Sequence, residues 1–368
     1  MTKLTKQKFV HLHVHSHYSL LDGLIKIDDL VKRAKELGMT SLALTDHGVM
    51  YGIIEFYQKA KEVGIKPIIG VEAYVAPRRL DQKTPKLDAN PYHLVLLAKD
   101  RTGYQNLCQL TTTAHLKGYY YKPRIDWELL KKHSQGLIAL SACIRGEIPH
   151  LLSIGKDSEA EKKVADFQDI FGKDNFFLEI QVHPKLVGQS NLTDEINQKL
   201  IALSKKTNAP LVATNDVHYL YPQDYSAHDI LLCIQTANVV TDRNRLRQQE
   251  GEDYSFRTAE QMIKQFASVP EAISNTARIA ERCNLDFKLG RLILPHFEVP
   301  QGETPSSYLE KLGYAGLIKR YSKNRDAFGK DLATREEAKK LVASSIIKRF
   351  DYELKIINQT GYAPYILI

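Results

Sequence analysis

Short apolar runs alternate with longer amphipathic segments from Phe9 to about Pro222. Runs that are short and rich in β-branched residues predict strands, and they cover residues 9–14, 41–46, 67–75, 92–98, 137–142, 176–182 and 210–216. Segments of helical length and period lie between most of them, including 28–37, 52–63, 159–171 and 192–206. Repeated βα units of this kind predict a mainly parallel sheet.

Potential metal ligands fall at or just beyond the ends of many of these strands. They are His13, His15, His47, Glu72, Cys143, Asp216 and His218. In an open sheet of seven strands the outermost strands lie about 29 Å apart, which is six spacings of about 4.8 Å, so these side chains could not converge. A closed barrel brings every strand end to one mouth. The sequence therefore predicts an α/β barrel with its site at the C-terminal ends of the strands.

The first predicted strand carries histidines at alternate positions. Residues i and i+2 of a strand share a face, so His11, His13 and His15 are expected to point into the barrel. The last two would reach the mouth, and Asp22 follows on the next loop. Glu72 lies within an otherwise apolar strand, where a carboxylate without a cation is costly. One His-x-His pair is weak evidence, but the whole set in phase with the strands predicts a metal site.

The types of candidate ligand indicate which metal ions would bind and which reaction they would support. Imidazoles, carboxylates and one thiol suit zinc best, with manganese or iron as alternatives. The set exceeds the tetrahedral requirement of one ion, so two or more ions that share bridging carboxylates are expected. Metals about 3.5 to 4 Å apart cleave phosphate esters, because one ion acidifies a bound water and another stabilises the departing oxygen.

Composition and charge restrict the partners. Lysine plus arginine number 51 against 43 aspartates plus glutamates, for a net charge of +8, which favours a polyanionic partner. No window is apolar enough to cross a bilayer, and the N-terminal residues lack the apolar stretch of a signal peptide. We therefore expect a cytoplasmic protein with no membrane partner. The four cysteines include no C-x-x-C pair, which indicates neither a disulfide framework nor a zinc knuckle.

Basic residues near the predicted mouth are candidates for phosphate or DNA contacts. Residues 117–126 interleave tyrosines with Lys122 and Arg124, a composition suited to stacking bases and contacting phosphates. A surface loop whose tyrosines pack on the barrel is an equally good interpretation. Arg145, two residues after Cys143, is the better candidate for holding a phosphate near the metals.

The pattern becomes mostly helical beyond the last predicted strand. From Asn284 a segment rich in proline and glycine precedes a charged helical region at 305–358, and the sequence closes on the apolar run GYAPYILI. We expect a metal-binding barrel at 1–285. Residues 286–368 would form a connector and the beginning of a further module, with the chain a piece of a longer protein.

Six stretches together resemble one known family. They are HLHVHSHYSLLDG, LALTDHG, KPIIGVEAYV, YHLVLLAKDRTGYQNL, GLIALSACIRGEIP and VATNDVHY. They resemble the polymerase and histidinol phosphatase (PHP) domain, and most closely its version in the bacterial DNA polymerase III alpha subunit. The resemblance covers roughly residues 9–285. The stretches AKDRTGYQNL, YYYKPRID and AHDILLCIQT are similar to the polymerase branch of the family.

The resemblance implies a distorted (βα)7, TIM-like barrel that holds two or three metal ions. The family's ligands correspond here to His13, His15, Asp22, His47, Glu72, His93, Cys143, Asp216 and His218. Only the resemblance adds His93, whose place inside a strand otherwise indicates a core histidine. It implies catalytic roles for Asp22, His47 and Asp216 through a metal-bound water. His11 stands where many relatives carry aspartate, and we interpret it as a core or supporting residue.

The implied activity is a metal-dependent 3′-to-5′ exonuclease that acts on the 3′ end of a primer strand, within a DNA-directed DNA polymerase. Residues 286–368 would begin the palm and thumb module, which is incomplete here, so the chain alone should not extend DNA. The implied partners are DNA and other replicative subunits, such as a proofreading subunit or a sliding clamp.

Two alternative functions remain open. In the first, the metals only staple a scaffold that braces the polymerase or binds a proofreading partner. In the second, the chain is a small phosphoesterase similar to histidinol phosphatase.

Overall fold

A computed structural model describes residues 8–184, 192–242, 245, 252–291, 296–322 and 331–368. The chain divides into two compact units, Met1–Asp286 and Phe287–Ile368. Within the described ranges, none of the helices combines the length and the hydropathy needed to span a membrane.

The first unit is built on a curled sheet. Its strands are β1 (Ser41–Leu44), β2 (Lys66–Val75), β3 (Tyr92–Ala98), β4 (Arg124–Ile125), β5 (Leu137–Leu140), β6 (Phe176–Gln181) and β7 (Leu211–Thr214). Their order is β1-β2-β3-β5-β6-β7, and the short β4 pairs with β2. β3 runs antiparallel to both of its neighbours, whereas the other pairings are parallel.

The segment 9–15 closes this sheet into a barrel. On one side, the amides of Ala43 and Thr45 each donate to a carbonyl of the segment over 2.9 Å. On the other side, Val217 accepts a hydrogen bond from the segment over 2.8 Å and donates one back over 3.2 Å. Backbone hydrogen bonds thus pass from the end of β7 through this segment to β1. The predicted distorted barrel is confirmed, although the segment is less regular than the strand predicted for it.

That irregularity overturns one expectation. His11 does not share a face with the next two histidines of the alternating run, because its Nε2 lies 2.9 Å from the Arg257 carbonyl oxygen and its ring stacks on Phe256. Leu12, one residue further along the chain, joins the same buried cluster as Val95 of the inner face. The strict period of two holds only where the backbone is regularly extended.

Helices surround the barrel. They are α1 (Ile27–Glu36), α2 (Ile53–Glu62), α3 (Arg101–Leu116), α4 (Trp127–Lys132), α5 (Glu147–Ser153), α6 (Asp157–Phe171), α7 (Leu192–Thr207), α8 (Tyr225–Thr236), α9 (Ala259–Gln265) and α10 (Pro270–Arg282). The first of them shows why they form. It buries Ile27, Leu30, Val31 and Ala34 along one stripe, with acidic residues in its first turn and basic residues in its last, as the helix dipole favours.

A layer of apolar side chains lies beside the site inside the barrel. The strand register places Glu72 opposite Val95, Val95 opposite Leu140 and Leu140 opposite Phe177, so these residues share the inner face. The apolar members of the layer, with Val212 of β7, belong to one buried cluster. This packed layer fills the barrel interior, so the polar side chains of the candidate site form a separate layer beside it.

The second unit is helical, as predicted. Its helices are α11 (Pro305–Tyr321), α12 (Arg335–Leu341), α13 (Ser344–Gln359) and α14 (Ala363–Leu367). They bury a small core that includes Tyr314, Ile318 and Ile347. The Tyr314 hydroxyl donates to Asp351 over 2.6 Å, which satisfies a polar group at the edge of this core.

Candidate metal centre

Glu72 lies at the centre of the predicted ligands. Its Oε1 lies 2.8 Å from His93 Nδ1 and 3.4 Å from His13 Nε2. Its Oε2 lies 2.6 Å from His47 Nδ1 and 3.5 Å from His15 Nε2. One buried carboxylate thus faces four imidazoles, which is the arrangement expected of a bridging ligand.

Asp216 is the second shared carboxylate. Its Oδ1 lies 3.2 Å from both His13 Nε2 and His15 Nε2, and 3.6 Å from His218 Nδ1. The two carboxylates therefore share His13 and His15, and Asp216 adds a contact with His218.

Asp22 and Cys143 complete the set at its outer edge. Asp22 approaches His47 Nε2 to 3.1 Å and His218 Nε2 to 3.7 Å. Cys143 Sγ lies 3.9 Å from His93 Nδ1. The structure therefore brings all nine predicted ligands into one continuous cluster.

Three overlapping trios within the cluster have ligand atoms that all lie within 4.8 Å of one another. They are His13 with His15 and Asp216, His15 with His47 and His218, and His47 with Glu72 and His93. Each trio is compact enough to hold one cation. Because the trios share members, they are suited to neighbouring ions with common ligands.

The mutual geometry of the buried polar atoms tests whether this cluster fits metal ions. Among the residues that the structure describes, five buried atoms face one another at 2.6–3.5 Å without a well-aligned hydrogen bond: His13 Nε2, His15 Nε2, His47 Nδ1, Glu72 Oε2 and Asp216 Oδ1. Buried polar atoms are normally paired, because leaving one unpaired costs about 1–3 kcal/mol. Cations would satisfy all five lone pairs at once, so the donor set fits them.

The antiparallel direction of β3 explains how His93 joins the site. His93 is the second residue of β3, and the start of an antiparallel strand lies at the same edge as the ends of its parallel neighbours. Spacing alone indicated a core histidine, because that argument treated every strand as parallel.

The ligands sit on unusual backbone. Asp216 itself has a left-handed φ of 47°, and the residues before Asp22 and Cys143, Leu21 and Ala142, have φ values of 61° and 62°. Such conformations cost on the order of 1 kcal/mol for residues other than glycine, and they cluster at functional sites. The strained backbone at these turns thus directs the candidate ligands toward the centre of the cluster.

A buried network that the sequence argument missed holds two of the histidines. Asp46 accepts hydrogen bonds from the Ser16 amide at 2.7 Å and the Ser19 hydroxyl at 2.8 Å. Ser19 Oγ in turn lies 3.0 Å from His15 Nδ1 and accepts from the His47 amide over 3.1 Å. The available signal was the aspartate that immediately precedes His47 at a strand end.

Glu179 is the second missed residue. Its Oε1 lies 2.7 Å from His13 Nδ1 and accepts from Gln181 Nε2 over 2.8 Å and from the Thr214 hydroxyl. The carboxylate fixes the His13 ring so that Nε2 faces the other ligands, as supporting groups of metal sites do. The argument that singled out Glu72, a carboxylate in an apolar strand, applies equally to Glu179.

Burial and neighbouring charges shift the pKa values of the cluster residues in the metal-free protein. Burial opposes charge on Glu72, but the surrounding histidines, His93 first, outweigh it and hold the pKa of that carboxyl well below its usual range. Burial would lower the pKa of His13, but Asp216 and its neighbouring carboxylates raise it well above the usual value. Burial, followed by the charge of Asp216, raises the pKa of the Cys143 thiol. Protons therefore occupy part of the site when no cation does.

Arg124 is not placed to contact DNA. It is fully buried, and its guanidinium donates to the carbonyl oxygens of Gly118, Asp88, Leu80 and Gln82 over 3.0–3.1 Å. This position argues against the predicted DNA contact, because the guanidinium is already bonded to the barrel's own loops.

Lys122 and Arg145 are exposed at the mouth, where they line a cavity of about 510 Å³. The cavity is also lined by Asp22, His47, His93, Cys143, Asp216 and His218. His183 and Tyr254, whose rings stack 4.0 Å apart, form part of its wall. The ligand cluster is thus open to solvent on a side that carries positive charge.

Comparisons with known proteins relate the chain to one domain family and to one group of polymerase subunits. The PHP domain family matches residues 11–183. The DNA polymerase III subunit alpha of Borreliella burgdorferi is 42% identical over 367 residues, which cover 99% of this chain and 30% of that protein. Its counterpart in Treponema pallidum is 41% identical over 369 residues, 99% of this chain and 29% of that protein. The chain thus spans about three tenths of the length of these curated relatives.

A solved structure from Bacteroides vulgatus, a two-domain protein containing a predicted PHP-like metal-dependent phosphoesterase, is 16% identical with a TM-score of 0.35. The aligned region covers 73% of this chain and 62% of the Bacteroides vulgatus chain. The chain thus contains a PHP domain, at residues 11–183, and is related along nearly its whole length to bacterial DNA polymerase III alpha subunits.

Proposed function

We propose that the first unit is a metal-dependent phosphodiesterase that removes nucleotides from the 3′ end of DNA, as part of a replicative polymerase. The observation that carries this proposal is the group of buried imidazoles and carboxylates around Glu72 and Asp216, whose polar atoms face one another at 2.6–3.5 Å without a well-aligned hydrogen bond. Burying imidazoles and carboxylates in this way costs folding free energy unless cations bind between them.

The donor set indicates which cations would bind. Imidazoles, carboxylates and a thiol favour zinc, with manganese or iron as alternatives. The three overlapping trios support two or three ions. Bound there, the cations would supply the charge that acidifies water and stabilises the oxygen released from a phosphodiester.

The open mouth favours catalysis over a purely structural role. Structural zinc sites are closed by protein ligands, whereas catalytic sites keep an accessible side. Here the Asp22 side chain is 23% exposed, and it lines the cavity together with His47 and His218. A substrate can therefore reach the ligand cluster, and a purely structural metal site would not need such access.

Side chains of this chain would orient the substrate and move its protons. Asp22 and His47, 3.1 Å apart at the cavity wall, would hold and transfer a proton at the reacting water, together with Asp216, which lines the same cavity. Arg145 and Lys122 would hold the phosphate from the solvent side. These groups would bind the phosphodiester between a positive rim and the ligand cluster.

Similarity to the alpha subunits supports DNA as the substrate. The relatives from Borreliella burgdorferi and Treponema pallidum are both named DNA polymerase III subunit alpha. A net charge of +8 is compatible with a nucleic-acid partner. Polymerisation, and binding of a proofreading subunit or a sliding clamp, belong to the same proposal for the longer protein.

Elemental analysis and degradation of a 3′-labelled primer together test the proposal. We expect the wild type to contain metal and to shorten the primer from its 3′ end, and the double variant His13→Ala with Asp216→Ala to lose both properties. The pair Asp169→Ala with His296→Ala, at exposed positions, is the matched control and should behave as wild type. Nuclease that survives equally in the double variant, or metal without any nuclease, would overturn the proposal.

A further inference from the structure

A second cavity of about 650 Å³ adjoins the mouth cavity. Both are lined by Tyr74, His93, Lys122, Ile144 and Arg145. This shared wall makes them one groove that leads away from the ligand cluster. The volume of the second cavity lies within the range of about 300–1,000 Å³ that is typical of small-molecule sites.

The charge of the second cavity differs from that of the mouth. Its lining carries Lys86, Lys122 and Arg145, and none of its described lining residues is acidic. The mouth cavity, in contrast, contains Asp22 and Asp216. A groove that is positive at its far end and rich in metal ligands at the other suits a polyanion with its terminus at the metals.

The three basic side chains are available to a ligand. Each belongs to an exposed residue, and within the described part of the chain none of the ion pairs involves Lys86, Lys122 or Arg145. Lys122 Nζ lies 5.4 Å from the centre of the Tyr74 ring, so its charge is held over the shared wall. Their positive charges are therefore not neutralised by the protein itself.

Aromatic rings line the same cavity. Tyr121 is 68% exposed, so its ring is accessible to a ligand. Tyr92 and His150, with ring centres 5.6 Å apart, line the same cavity. Exposed aromatic rings beside basic residues are the combination with which proteins bind single-stranded nucleic acids.

The loops that carry these groups are fixed in place. Lys86 and Tyr121 have left-handed φ values of 68° and 60°. The buried Arg124 donates to the backbone on both sides of Lys86, at Leu80 and Asp88, and the Asp88 side chain accepts hydrogen bonds from Arg78 at 2.9 Å and from the Thr84 amide at 2.8 Å. Because the loop is anchored, the lysine is presented without a large cost in ordering.

We propose that the second cavity binds the nucleotides that precede the 3′-terminal one on a single DNA strand. Arg145 and Lys122, on the shared wall, hold the phosphate next to the metals, Lys86 holds a phosphate further along, and Tyr121 stacks on a base. This inference rests on the proposed function for the direction of the strand. It adds to that function a requirement for an unpaired 3′ end, because bases stacked on Tyr121 cannot also be paired.

Binding of a fluorescein-labelled octanucleotide tests this inference without catalysis. Phosphorothioate linkages at its 3′ end prevent cleavage, and fluorescence anisotropy reports the Kd for the 368-residue chain with its metal in place. Lys86→Ala should weaken binding about fivefold and reduce the slope of log K against log salt by about 0.7, the value for one phosphate contact on a single strand. Tyr121→Leu should weaken binding about tenfold through lost stacking.

The chain offers a matched control for each variant. Lys83 is exposed on the same loop as Lys86, and Tyr119 is 55% exposed near Tyr121, but neither lines the cavity. Lys83→Ala and Tyr119→Leu should bind as wild type does. If each cavity variant binds as its control does, the inference is wrong. If the wild type binds the strand through Lys86 and Tyr121 but degrades no primer, the proposed function fails and the binding site stands.

Discussion

Replacing Glu179 with glutamine should weaken zinc binding about tenfold and leave the barrel folded. Glu179 is 1% exposed, and its Oε1 lies 2.7 Å from His13 Nδ1. That contact keeps a proton on Nδ1, so Nε2 is the nitrogen that a metal would bind when the second proton leaves. Nε2 lies 3.2 Å from Asp216 Oδ1, among the other candidate ligands.

The size of the effect follows from what glutamine retains. Its side chain has the same shape, and its carbonyl oxygen can still accept from His13, but the negative charge that makes the imidazole a stronger ligand is lost. Loss of a supporting group typically costs 10- to 100-fold in metal affinity, and the retained hydrogen bond places this variant at the lower limit. Tenfold corresponds to about 1.4 kcal/mol of binding free energy.

Competition with a chromophoric chelator at pH 7.5 measures the zinc Kd of each protein, and circular dichroism verifies that each is folded. Glu195→Gln is the matched control, because Glu195 is an exposed glutamate of α7, a helix that packs on the strand carrying Glu179. His13→Ala, which removes the ligand itself, sets the upper limit of the effect. A folded Glu179→Gln protein with the wild-type Kd would refute the claim that the carboxylate supports His13.

Three further results are expected. Zinc binding at pH 7 should release about three protons, from His13, His47 and Cys143. Asp216 and its neighbouring carboxylates outweigh burial to raise the pKa of His13, Tyr74 followed by Glu72 does so for His47, and burial raises the pKa of the Cys143 thiol. Titration calorimetry in buffers of different ionisation enthalpy measures the number, and fewer than one proton would contradict the prediction. Removing metal with a chelator should lower the free energy of unfolding by about 2.7 kcal/mol relative to protein with free metal at 100 times its Kd, and an unchanged melting temperature would argue against specific binding. Arg124→Met should destabilise the protein by about 3 kcal/mol in urea unfolding, because four carbonyls lose their donor, whereas Arg79→Met at a 60% exposed position should be neutral.

The sequence determined the barrel and most of its ligands for a local reason. Ligands such as His47 and Asp216 follow short apolar strands directly, and the ends of parallel strands in a closed sheet must meet at one mouth. Glu72 was identifiable because a carboxylate in an apolar strand requires a partner. Each of these inferences needs only the neighbours along the chain and the period of the strand.

Tertiary structure decided the features that depend on direction and on distant partners. His93 reaches the mouth because β3 runs antiparallel, which no residue of that strand reveals. His11 leaves the site because the closing segment is irregular, and its ring packs on Phe256 instead. Arg124 holds loops together, whereas the composition of residues 117–126 suggested DNA binding. The reason is that carbonyl oxygens far from Arg124 in sequence surround it in space. Periodicity reports which way a side chain points along its own strand, but only the assembled barrel fixes which groups it meets.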